Sequence, residues 1–143
     1  MHGEPEARRA WVALCVLSAA TAAAQPDAIQ ARFDAPEPLR VGDRRAVVLV
    51  VEGVETELPV LVTTAEEGTA IEVVRGRLTR LDAEAPGAEP LRFPIPLVAR
   101  APGTSVLRAE VRTFACEGPT DDAPCDEVVR TATLTLTVAR AAR

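Results

Sequence analysis

Residues 107–138 read LRAEVRTFACEGPTDDAPCDEVVRTATLTLTV. The first part alternates: Leu107, Ala109, Val111 and Thr113 share one face, and Arg108, Glu110 and Arg112 the other. The last part alternates again. Val128, Ala132, Leu134, Leu136 and Val138 point one way, and Val129, Thr131, Thr133, Thr135 and Thr137 the other. A period of two predicts strands with one buried face. Arg130 falls on the inner face and needs an exit near the sheet end. Between the two runs lie Cys116, a short polar loop and Cys125, so a disulfide-closed hairpin is expected. The pattern tests that pairing. With Cys116 opposite Cys125, Leu107 meets Leu134, Ala109 meets Ala132 and Arg108 meets Thr133. A slip by one residue would set inner against outer side chains. Such a bridge closes a loop of about ten residues, worth on the order of 2.5–3 kcal/mol in the chain-entropy model.

Strand signals recur upstream at short spacing, broken by proline and glycine. Residues 46–51 are apolar and mostly β-branched, as in a central strand covered on both faces. Residues 58–64 form another strand, ended by a turn at Glu66-Glu67-Gly68. Ile71 and Val73 share a face, but Leu78 and Leu81 do not continue its phase, and a bulge near Gly76 would explain the slip. Residues 82–90 form a loop around Pro86-Gly87. In residues 91–99, Leu91, Phe93, Ile95, Leu97 and Ala99 alternate inward. Pro94 and Pro96 remove two N–H groups from one side, which predicts an edge strand with that side unpaired. Pro102-Gly103 suits the centre of a type II turn.

About seven short strands with Pro/Gly turns and scarcely a helix signal describe an all-β sandwich. The last two runs resemble the final hairpin of bacterial immunoglobulin-like domains. The proline-bearing strand and the Pro102-Gly103 turn fit the same pattern. This resemblance implies an immunoglobulin-like sandwich of about seven antiparallel strands over residues 41–139. An extended leader over residues 25–40, with a first strand near residues 31–34, precedes it, and a tail at 140–143 follows.

The beginning of the chain reads differently. Arg8 and Arg9 precede fifteen uncharged residues, 10–24, ending in Ala22-Ala23-Ala24. A basic start, a short apolar centre and a small-residue end make a secretory signal peptide, expected as a helix over residues 1–24 and cleaved near Ala24. Fifteen helical residues reach only about 22 Å, against a hydrocarbon core of about 30 Å. Contact with membrane is thus expected only during export. Cys15 follows Leu14, too large for a lipoprotein cleavage pattern, and is an ordinary residue of the signal core. The expected location is periplasmic or extracellular, where a disulfide persists.

Cleavage would leave 119 residues, 25–143, carrying no His, Trp, Tyr or Lys and one serine, Ser105. That composition removes Ser-His-Asp and Cys-His nucleophiles, imidazole metal ligands and Schiff-base chemistry. The usual aromatic platforms for sugars and bases are missing, and a net charge of −5 is unlike a nucleic-acid binder. No cofactor is expected.

The cysteine pair is the one chemically suggestive feature left. An immunoglobulin-like domain with two cysteines at its last hairpin resembles the N-terminal periplasmic domain of the thiol–disulfide interchange protein that passes electrons across the inner membrane. The resemblance implies Cys116 and Cys125 as an active pair serving other exported proteins. Eight residues separate the cysteines here, and Asp126 and Glu127 follow Cys125 where that family has aromatic and proline residues. Glu117, Asp121, Asp122, Asp126 and Glu127 surround the pair and disfavour the thiolate that exchange requires. The residues therefore favour a structural clasp. Asp121, Asp122, Asp126 and Glu127 could also attract calcium, although their spacing fits no defined calcium loop. A solvated acidic tip needs no metal. The leading expectation is a non-catalytic exported module that binds another exported or envelope protein, or supports an envelope assembly. The redox partner domain is the alternative, and a calcium-stabilised adhesion module the third. Strand addition at an open sheet edge would be one mode of binding.

Overall fold

In a computed structural model the described residues are 26–55, 57–118 and 123–142. The expected signal segment lies outside them, as do Asp121 and Asp122. Nine strands follow in order: β1 (Gln30–Phe33), β2 (Leu39–Arg40), β3 (Arg44–Glu52), β4 (Leu61–Glu67), β5 (Ile71–Val73), β6 (Arg77–Thr79), β7 (Leu91–Ala99), β8 (Gly103–Cys116) and β9 (Cys125–Ala139). They form two sheets, ordered β1-β3-β7-β5 and β2-β9-β8-β4-β6. The first sheet reproduces the A-B-E-D arrangement of the immunoglobulin fold, and β9-β8-β4 reproduces G-F-C. The all-β immunoglobulin-like sandwich is therefore present. One pairing, β2 with β9, is parallel.

The core follows from the alternation of the strands. Leu49, Val51, Leu91, Phe93, Ile95 and Leu97 of the first sheet face Val62, Leu78, Leu107, Val111, Leu136 and Val138 of the second. Each such side chain contributes about 1.5–3 kcal/mol when fully buried. Phe93 is the large aromatic at the centre and is wholly inaccessible.

The hairpin forms in the expected register. Fourteen pairs run without a bulge from Gly103 opposite Val138 to Cys116 opposite Cys125. Leu107 meets Leu134, Ala109 meets Ala132, and Arg108 meets Thr133. Gly103 has φ +130°, a conformation that side chains with a Cβ rarely adopt. Arg130, on the inner face, is taken up within the fold: its Nε donates to the Ile29 carbonyl at 2.9 Å. This bond ties β9 to the segment that enters the opposite sheet.

Three expectations change. The phase slip near Gly76 is a change of sheet, not a bulge. β5 pairs with β7 in the first sheet, and β6 pairs with β4 in the second. The Gly76 carbonyl marks the crossing by accepting the Thr64 N–H at 2.8 Å. The proline-bearing β7 is not an edge strand, because it lies between β3 and β5. The missing donors do face away from β3, since Val74 N–H donates to the Pro96 carbonyl on that side. There β5 pairs only with residues 97–99, and further contacts use the Pro96 and Arg92 carbonyls as acceptors. The stretch 25–40, expected as an extended leader with a first strand near residues 31–34, is built into the sandwich: that strand is β1 of one sheet, β2 joins the other, and Ile29 is part of the core. β2, and β6 as a strand separate from β5, raise the strand count from about seven to nine.

Candidate functional site

The cysteines sit where the strand pattern puts them. Glu117 N–H donates to the Pro124 carbonyl at 3.0 Å, so the ladder continues one pair past them. Bonded and non-bonded pairs alternate in an antiparallel ladder, which makes Cys116 and Cys125 a non-hydrogen-bonded pair, the closer kind. Their Cα atoms are 4.0 Å apart and their sulfurs are bonded at 2.04 Å. By parity the bridge lies on the outer face of the second sheet. Cys116 is buried and Cys125 is exposed.

The charges around the bridge are partly organised. Arg112 lies two residues before Phe114 on the same outer face. It donates to Glu110 and to Glu127, each at 2.7 Å. Both carboxylates raise the Arg112 pKa, with Glu110 the larger influence. Glu127, one of the residues considered for calcium, is therefore engaged by a guanidinium. Asp126 and Glu117 are exposed. Among the described residues no group of three or more His, Cys, Asp or Glu gathers as metal ligands would.

Carboxylates elsewhere are similarly occupied. In a cleft between the 34–37 segment and β3, Asp34 accepts from Arg92 at 2.7 Å and from Arg32 at 3.0 Å. The Arg92 hydrogen bond holds its carboxyl below the ordinary value. Glu37, in the same cleft, is bound by Arg45. Neither is placed as an acid–base partner in an apolar setting.

Residues that the sequence reading did not single out surround the bridge. Phe114 is 37% exposed and Val129 39% exposed. They lie diagonally across the β8–β9 ladder, since Phe114 faces Glu127 and Arg112 faces Val129. Leu81 is 83% exposed just beyond β6, next to Pro59 and Leu61. The outward alternation of β8 could have flagged Phe114, but only cross-strand registers join it to Leu81.

Among solved structures the chain is similar to native alpha-2-macroglobulin from Escherichia coli, in a structure spanning domain MG7 to the C-terminus. Identity is 19% over 79% of this chain and 17% of that one, with a TM-score of 0.54. Trypsin-activated alpha-2-macroglobulin from the same organism matches at 17% identity, over 79% of this chain and 7% of that one, with a TM-score of 0.48. No family model and no curated protein matches. The first likeness supports the fold and, at this identity, the fold alone. The chain spans 17% of that structure's length, so the activity of the larger protein does not transfer with the fold. The first likeness does not show the resemblance to a thiol–disulfide interchange protein.

Proposed function

We propose that this chain is a non-catalytic, exported immunoglobulin-like module that binds another exported or envelope protein, with Cys116–Cys125 as its clasp. The observation that carries this reading is the bridge itself. The only cysteines among the described residues are bonded to each other at the end of an unbroken fourteen-pair hairpin. A bridge in that position constrains the chain and leaves no free thiol among the described residues. The described residues also lack His and Lys, so no imidazole or side-chain amine is available there as nucleophile or base. Location outside the cytosol rests on the signal-like start and on the bridge, which an oxidising compartment preserves.

The decisive measurement is the reduction potential of the oxidised protein, equilibrated against defined thiol buffers. A structural bridge should lie below about −300 mV. A potential near that of exchange proteins, with rapid thiol transfer to a second exported protein, would establish the redox alternative instead. Neither calcium nor a chelator should move the melting temperature. A calcium-dependent rise would favour the adhesion module.

A further inference from the structure

The exposed apolar side chains are not scattered. Among the described residues the exposed large hydrophobics are Val74, Leu81, Phe114 and Val129. The last three lie at one end of one face, the outer face of the second sheet beside the disulfide. One row there runs Thr79, Leu61, Arg112, Val129 across four strands. Toward the hairpin tip Pro59 precedes β4, Phe114 follows along β8, and Leu81, in the turn after β6, lies against Pro59 and Leu61. The Thr113 hydroxyl donates to the Pro59 carbonyl at 2.9 Å and fixes Pro59 beside β8. Pro59 is exposed and Leu61 half-buried. With Leu81 they line a shallow groove of about 370 Å³. A contiguous apolar patch of this kind marks an interaction site, whereas single exposed leucines do not.

Leu81 is presented rigidly. It is the middle residue of a 3₁₀ turn, Arg80–Asp82. The Arg80 guanidinium donates to the carbonyls of Leu58, Pro86 and Glu55 at 2.8, 2.9 and 2.6 Å. Asp82 accepts from Thr79 N–H at 2.8 Å and pairs with Arg75 at 2.9 Å. A leucine fixed in water by this many polar contacts is preorganised for a partner, because little side-chain or loop freedom remains to be lost on binding.

The surrounding charge indicates which partner. Glu55 and Glu57 are exposed on the loop whose carbonyls hold Arg80, and Glu127 is exposed opposite Phe114 on the same face, while Glu117 and Asp126, of the opposite parity, are exposed at the hairpin tip. Of the nearby arginines, Arg75 is engaged by Asp82, Arg80 by carbonyls, and Arg112 by Glu110 and Glu127, and Arg77 is exposed on the same face one row further from the tip than Leu61. A second copy of this chain would set this acidic rim against its own, and an anionic membrane would be repelled in the same way. We infer that the face formed by Pro59, Leu61, Leu81, Phe114 and Val129 docks a protein segment whose apolar side chains are flanked by lysine or arginine. This rests on the binding-module reading and adds the surface and the chemistry of the partner.

The test uses isotope-labelled, oxidised protein and two synthetic peptides, one alternating leucine with lysine and the other leucine with glutamate. The lysine peptide should shift the amide resonances of Leu61, Leu81, Phe114 and Val129. The glutamate peptide should shift none. Leu81→Ser should weaken the lysine peptide's binding about tenfold, as expected for an apolar anchor. Thr135→Asn, on the same face but away from the patch, should leave it unchanged. Both substituted side chains are exposed, so unchanged melting curves will show that the variants fold. Equal binding of the two peptides, no binding of the lysine peptide, or self-association through this face would overturn the inference. Shifts on another face would also overturn it while leaving the module reading intact. That reading falls separately, with a redox-active potential at the bridge.

Discussion

Reducing the Cys116–Cys125 bond should destabilise the domain by an amount that can be worked out in advance. The cysteines are separated by 9 positions. A loop of about ten residues gives an entropy restriction worth about 2.7 kcal/mol at 25 °C. Little of this should come from the native state, because the ladder of fourteen pairs holds the strands in place without the bridge. With an unfolding entropy of about 2.1 cal/mol/K per residue, the shift for a domain of this size is on the order of 10 °C. Linkage requires the same free energy to appear as a redox difference. At 30 mV per 1.4 kcal/mol, the folded protein should hold the bridge about 58 mV more negative than the unfolded chain does.

Urea unfolding of the oxidised and reduced protein gives the first number. Thiol-buffer equilibration with and without denaturant gives the second. The reduced form should also show a larger denaturant slope, since its unfolded chain exposes more surface. The reasoning fails if the two forms agree in stability within about 0.5 kcal/mol, a difference well below the loop-closure value. It also fails if the folded and unfolded potentials coincide. Either result would mean that the fold does not favour the bridge, as a working redox pair requires.

Three further outcomes are expected from other parts of the structure. Gly53→Ala should cost more than about 2 kcal/mol, because φ is +81° and a Cβ would lie 2.2 Å from the Ala28 carbonyl oxygen. Gly42→Ala, at φ +93° with nothing within 4 Å, should cost only about 1–2 kcal/mol, and denaturant midpoints in the reverse order would contradict the packing. Ser105→Ala should cost about 1–3 kcal/mol, since the buried Ser105 hydroxyl accepts the Ala70 N–H at 2.9 Å, and amide exchange at Ala70 should quicken. Asp34 should titrate below the ordinary carboxylate value by carbon NMR, and Arg92→Gln should raise it. Its folded value is depressed, so its contribution is complete above the unfolded value of about 3.9 and disappears as pH falls through the folded one. The stability difference between wild type and Arg92→Gln should therefore shrink in acid, and a difference that grows there would refute the assignment.

What the sequence disclosed depended on how many local signals agreed. The hairpin was legible because two alternating faces and two cysteines select compatible registers. The crossing between Val73 and Arg77 was not, because a bulge and a change of sheet produce the same slip of phase. Pro94 and Pro96 correctly placed the side lacking donors, but a neighbouring strand can occupy part of a side and stop short of the prolines. Within the stretch 25–40 a first strand was legible near residues 31–34, where β1 lies, but β2 was not, because 2 residues are too few for a period to emerge. The apolar patch was hidden for another reason. Leu81, Pro59 and Phe114 come from three separate stretches, and their adjacency depends on registers that only the folded sheet defines.

The position of the bridge then takes on a second meaning. Cys116–Cys125 stands one outward row beyond Phe114–Glu127, which stands one row beyond Arg112–Val129. The end of a two-stranded ladder is where opening is least costly. Here the end also carries two of the patch's apolar side chains and the acidic carboxylates around them. A clasp at that point holds Phe114, Val129 and Glu127 in a fixed arrangement on the face that also carries Leu81, whose own turn is fixed by Arg80 and Asp82. The same carboxylates that disfavour a reactive thiolate would favour a basic partner. The acidic tip and the disulfide, which look opposed if the cysteines are an active site, are consistent with each other if the site is the surface that they hold in place.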